Sequence, residues 1–182
     1  MLIVNMFGAP GAGKSTGAAY IFSKLKMAGV NAELVTEFAK DKVWEGSKAV
    51  FDNQAYIFGK QYFRISRLQD KVDVVITDSP ILLSSFYAHD DVLGNEFDKL
   101  CTKVFRSYNS MNVFIDRVKP YNPSGRFQNE AESDELARVM QGFLEEHNVT
   151  CVHYDGSIEG YDTLVTNIFD RMKYPGRSCG VR

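Results

Sequence analysis

The chain has 182 residues, enough for one domain with a sizeable core, and its 45% hydrophobic and 24% charged residues are ordinary for a globular protein. A net charge of −2 gives no global basic field for nucleic acid, though a local patch stays open. No apolar run approaches the roughly 20 residues of a membrane span, and three cysteines, Cys101, Cys151 and Cys179, without a CxxC or metal spacing, read as free thiols in a reducing cytosol.

Residues 2–7 are an apolar strand, too short for a signal segment, that leads straight into a glycine-rich turn. Residues 14–27 follow as a helix with Ala18, Ile21, Phe22 and Leu25 on one face, stopped near Gly29. Residues 31–36 form a second strand. Residues 47–70 read as a long helix whose core stripe is Phe51, Ala55, Phe58, Tyr62 and Ile65. Residues 72–77 are the most β-like run and end at Asp78-Ser79-Pro80, where proline stops the strand. A helix over 96–108 and a strand over 112–116 come next. Residues 117–126, with two prolines and a glycine, are the clearest loop. A helix with an acidic start over 130–147, a strand over 149–154 and a helix over 158–172 complete the pattern. Alternating strands and helices predict a parallel α/β sheet covered on both faces, with ligands beyond the carboxyl ends of the strands.

Gly8-Ala9-Pro10-Gly11-Ala12-Gly13-Lys14-Ser15-Thr16 matches the Walker A pattern between a strand and a helix, where its mechanism needs it. Glycines let backbone amides approach phosphate oxygens, and the helix N-terminus adds partial positive charge. Lys14 is positioned to reach the β- and γ-phosphates of ATP, and Ser15 to place its hydroxyl on Mg²⁺. Asp78, at the end of the third strand, is a candidate for the Mg²⁺ shell or for accepting the proton of an acceptor hydroxyl. Glu37, at the end of the second strand, is a candidate general base or acceptor-binding group. If Asp78 serves Mg²⁺, Glu37 is the base; if Asp78 takes the proton, Mg²⁺ is left to Ser15 and water. Arg117, Lys119 and Arg126 give residues 117–129 the composition of a lid that spreads positive charge over transferring phosphate.

Taken together, Gly8 to Thr16, Asp78-Ser79-Pro80 and the loop around Arg126 resemble the P-loop kinase branch of the P-loop NTPases over residues 2–172. The chain is most similar to ribosylnicotinamide-kinase-like proteins and to phage-encoded nucleoside and DNA-base (5-hydroxymethyluracil) kinases. The resemblance implies a three-layer α/β/α fold with a five-stranded parallel sheet in the order 2-3-1-4-5 and transfer of the γ-phosphoryl group of ATP to an acceptor hydroxyl. It places the kinase domain at residues 1–172, a basic tail at 173–182, and the protein in the cytoplasm, the host's if phage-encoded.

On the acceptor side, Phe38, Trp44 and Tyr56 lie off the core stripe and suit a flat ring. Gln54 and Gln61 read as exposed. Lys60, Arg64 and Arg67, four and three apart, put a positive row on one helical face for a phosphate. The acceptor is a free nucleoside or nucleotide, or a hydroxymethylated pyrimidine base in DNA. The competing reading is a nucleotide-hydrolysing switch or accessory subunit, against which stand the lid and the absence of a guanine-reading Asn-Lys-x-Asp.

Overall fold

A computed structural model describes residues 1–38, 50–88, 93–123 and 129–173. Five strands, β1 (Leu2–Phe7), β2 (Ala32–Val35), β3 (Val74–Thr77), β4 (Asn109–Asp116) and β5 (Val152–Asp155), form one sheet in the order β2-β3-β1-β4-β5. Every pairing is parallel, with Asn5 level with Thr77, Val35 level with Thr77, Phe7 level with Phe114 and Asp116 level with Asp155. The order expected from the kinase resemblance is the order observed.

The central strand is apolar nearly throughout because both of its faces are covered. Leu2, Val4 and Met6 join a core with α1 (Lys14–Met27) through Ala18, Ile21 and Leu25, and with α6 (Ile158–Lys173) through Tyr161, Leu164 and Ile168. Ile3 and Phe7 point to the opposite face. There α2 (Gln54–Ser66), the short α3 (Leu83–Phe86), α4 (Gly94–Arg106) and α5 (Glu130–Glu146) supply Phe58, Ile65, Leu83, Phe97, Phe105, Met140 and Leu144. Asn5 is the buried polar exception on β1, and its amide donates to Asn112 Oδ1 at 3.0 Å.

Strand order reverses at β1, which has β3 on one side and β4 on the other, so the crevice of the sheet opens at its carboxyl end. Phe7 delivers the chain into that crevice, where the glycine-rich loop begins.

Three expectations need correction. First, the core stripe of α2 is Gln54, Ile57, Phe58, Gln61 and Ile65, while Tyr62 is 40% exposed and stacks on Phe58 at 5.9 Å between ring centres. Gln54 and Gln61, read as exposed, are buried. Each brings its own partner: Gln54 Nε2 donates to Phe51 O at 3.0 Å and Gln61 Nε2 to Ser79 O at 3.0 Å. Asn53 starts this helix, its side chain accepting the Tyr56 N–H at 2.9 Å. Second, β4 begins at Asn109, three residues before the expected start at Asn112, because its polar first residues pair in register with Leu2 and Ile3. Third, α3 was not expected. It turns Leu82 and Leu83 into the core beside Phe7.

Among the described residues no helix is long and apolar enough to cross a membrane. Cys101 is buried and Cys151 half-buried, both as free thiols, and burial pushes each thiol up to about 12. Trp44, Arg126, Cys179 and the tail from residue 174 lie outside the described residues.

Candidate functional site

The loop from Gly8 to Gly13 is built on left-handed backbone, with φ of 137° at Gly8, 84° at Gly11 and 105° at Gly13. Gly13 is the N-cap of α1 and carries no capping side chain, and the first turn of the helix holds no acidic residue. The first amides of α1 are therefore left to an external anion, and the helix dipole favours one. Ser15 and Thr16 are exposed on this first turn. Lys14 bends back over the loop, its Nζ donating to Gly8 O at 2.6 Å and Ala9 O at 3.0 Å.

Three residues distant in sequence brace the loop. Tyr161 of α6 is buried, and its hydroxyl donates to Gly13 O at 3.0 Å. A Cβ at Gly13 would stand 2.4 Å from that hydroxyl, so glycine is required by contact as well as by φ. Gly156, after β5, lies so close that a Cβ there would meet Ala12 O at 2.2 Å, and its N–H donates to Asp116 O at 2.8 Å. On the opposite side, the fully buried Ser133 of α5 donates its hydroxyl to Pro10 O at 2.7 Å. The sequence reading found none of these three.

The two candidate acidic residues sit at the ends of neighbouring strands. Asp78 is 3% exposed, and its Oδ1 accepts the backbone N–H of Glu37 at 3.0 Å. Glu37 is half-buried. Burial pushes the Tyr87 hydroxyl up to about 12, and the Glu37 carboxylate adds to that push, so Tyr87 remains a neutral hydroxyl. Beyond Glu37, Phe38 and Tyr56 meet edge to face at 5.5 Å. Arg64 lies over the Phe38 ring at 5.2 Å and donates to Thr36 O at 3.0 Å, and Lys60 lies over the Tyr56 ring at 5.3 Å. Of the positive row, Lys60 and Arg64 thus border this aromatic pair, while Arg67 is exposed at the helix end.

Arg117 is set against two carboxylates of α5. Its guanidinium binds Glu130 at 2.5 Å and also Asp134, one turn apart on α5, and lies 5.5 Å from the Tyr121 ring centre. Both carboxylates raise its already high basicity, Glu130 first. The helix that holds them starts in a capping box. Asn129 Oδ1 accepts the Glu132 N–H at 3.0 Å, and Glu132 Oε2 accepts the Asn129 N–H at 2.7 Å. Lys119 lies in the loop between β4 and α5. Arg126 is outside the described residues.

An uncapped helix N-terminus behind a glycine loop, at the reversal point of a 2-3-1-4-5 parallel sheet, defines a P-loop nucleotide-binding protein with the kinase-type α/β/α fold. The chain belongs to the AAA domain family, which it matches over residues 3–160. Among solved structures it is similar to thymidylate kinase from Ehrlichia chaffeensis, at 14% identity, 93% of this chain, 97% of that chain and a TM-score of 0.56. It is also similar to a mutant of the APS kinase of Mycobacterium tuberculosis, at 23% identity, 79% of this chain, 96% of that chain and a TM-score of 0.40. The first of these likenesses is one of fold. No curated protein matches the chain.

Ser133→Ala is expected to weaken nucleotide binding about 5-fold, the effect of one hydrogen bond near 1 kcal/mol, with the circular-dichroism spectrum unchanged. Titration with ATP measures it. An unchanged affinity would mean that Pro10 is held without α5.

Proposed function

We propose that the chain is an ATP- and Mg²⁺-dependent kinase that transfers the γ-phosphoryl group to a hydroxyl of a nucleoside-like acceptor. The observation that carries this reading is the Asp78 carboxylate at the end of β3, which accepts the backbone N–H of Glu37 just after β2 and so sets the two candidate residues on neighbouring strand ends. A hydrolase needs a positioned water; a kinase needs a carboxylate beside its acceptor, and the groups beyond Glu37 that suit a nucleoside-like acceptor are Phe38, Tyr56, Lys60 and Arg64, which contact one another.

The donor side fits ATP. The bare α1 amides and Lys14 take the phosphates, and Lys14 exchanges its loop carbonyls for phosphate oxygens as they arrive. Ser15 and Asp78 are the residues that would hold Mg²⁺, which neutralises charge on the phosphates when bound. Its preference for keeping several waters suits a site with so few protein ligands. On the acceptor side, Glu37 or Asp78 takes the hydroxyl proton, the oxygen forms its bond to the γ-phosphorus, and ADP leaves with the bond that breaks. Arg117, paired to Glu130 and Asp134, serves as the fixed root of the lid unless it gives up those partners for phosphate, and Arg126 is the second lid cation of this reading.

The acceptor is a free nucleoside or nucleotide, or a hydroxymethylated pyrimidine in phage DNA. A transfer assay with labelled ATP over nucleosides, nucleotides and hydroxymethyluracil-containing DNA distinguishes them. Label on one of these classes is the expected result. A DNA acceptor also predicts activity that falls steeply with salt, because phosphate contacts release counterions. ATP hydrolysis at full rate with no label on any acceptor would overturn the kinase reading in favour of a hydrolase.

A further inference from the structure

Gln61 is 2% exposed, and only one end of its amide is used. Nε2 donates to Ser79 O at 3.0 Å and to Thr77 Oγ1 at 3.3 Å. Oε1 is buried, and among the described residues nothing donates a hydrogen bond to it. Turning the amide over would not help, because it would set Oε1 against the Ser79 carbonyl, and two acceptors repel. A buried amide oxygen without a partner is costly, and a methionine of similar length would fill the same space without that cost.

The part of the amide that is used closes a small network. The Thr77 hydroxyl donates to Ser79 O at 3.2 Å and accepts the Ser79 N–H at 3.2 Å, while also accepting from Gln61. These bonds use the full capacity of that hydroxyl, one donor and two acceptors. The residue they enclose is Asp78, whose carboxylate meets the Glu37 N–H on its other side. A strand end carrying a catalytic carboxylate needs such a support, since a displacement near 1 Å can lower a rate about 100-fold.

We infer that Gln61 is a positioning residue: it clamps the Thr77–Ser79 turn and so fixes the direction of the Asp78 carboxylate, at the expense of its own unpaired oxygen. The inference rests on the role given to Asp78 above. It makes stability and activity move in opposite directions. In Gln61→Met the Ser79 carbonyl keeps the Thr77 hydroxyl and the Thr77 hydroxyl keeps the Ser79 N–H, so no new group is orphaned and one orphan disappears.

The test compares full-length parent, Gln61→Met and Asp78→Asn for melting temperature and phosphoryl transfer. Gln61→Met is expected to melt at or above the parent temperature, to lose roughly 10- to 100-fold in kcat, and to keep its KM for ATP within about twofold. A lower melting temperature in Gln61→Met, with or without activity, overturns the inference, because it marks a plain packing role. Parental kcat in Gln61→Met beside an inactive Asp78→Asn overturns it while leaving the proposed function in place. Parental kcat in Asp78→Asn removes the reading of Asp78 and the inference with it.

Discussion

Lys14→Ala is expected to lower phosphoryl transfer at least about 100- to 1,000-fold, the usual effect of removing one charged donor aimed at developing transition-state charge. The fold should survive. Lys14 is half-buried at the mouth of the loop, and it donates to the Gly8 and Ala9 carbonyls. Their loss costs about 1–3 kcal/mol at most, against a domain stability of about 5–15 kcal/mol. The rest of the loop's bracing lies elsewhere: Tyr161 on Gly13, Ser133 on Pro10, and the packing of Gly156 against Ala12. Circular dichroism and a melting curve check the fold, and single-turnover transfer from labelled ATP checks the chemistry. Because the loop amides remain, ATP binding should weaken far less than the rate. A variant with parental turnover would remove Lys14 from the mechanism and with it the kinase reading of this site.

The phosphate loop was legible because its chemistry is contiguous. The glycines, Lys14 and Ser15 fall within nine residues, and the strand before them and helix after them carry clear apolar patterns. The sheet order was legible through the same motif and the family resemblance it carries. The braces were not, because nothing local marks them. Ser133 meets Pro10 across 123 positions and Tyr161 meets Gly13 across 148. In its own helix Tyr161 looks like any core aromatic. The stripe of α2 failed for a related reason. Counting apolar residues puts Tyr62 inside and Gln61 outside, yet Gln61 finds Thr77 and Ser79 on the neighbouring strand end while Tyr62 covers Phe58 from the edge. A polar side chain that arrives where its partner waits can occupy a core position, and periodicity alone does not register that. Arg117 shows the converse. Its place after a strand does not announce Glu130 and Asp134, thirteen and seventeen residues on, which give it two carboxylates.

Asp78→Asn separates the two roles left open for that carboxylate. The substitution is close to isosteric, and its Oδ1 can still accept the Glu37 N–H, so the turn held by Thr77 and Gln61 keeps its geometry. What disappears is the negative charge and the capacity to take a proton. Either loss is expected to lower kcat about 100- to 1,000-fold, the scale of a missing general base or of a missing electrostatic partner in the site. The two are told apart by the Mg²⁺ dependence of the remaining rate. If Asp78 holds Mg²⁺, the variant needs a higher Mg²⁺ concentration for half-maximal activity and recovers part of its rate at saturation. If Asp78 is the base, the concentration for half-maximal Mg²⁺ activation is unchanged and no amount of Mg²⁺ restores turnover. Glu37→Gln, measured in parallel, gives the complementary answer, because only one of the two carboxylates is needed to take the hydroxyl proton. A rate defect in Glu37→Gln that Mg²⁺ does not relieve, beside one in Asp78→Asn that it does, assigns Glu37 as the base and Asp78 to the metal. The reverse pattern exchanges them. Parental turnover in both variants would leave the carboxylate pair without a catalytic role and would return the site to nucleotide binding alone.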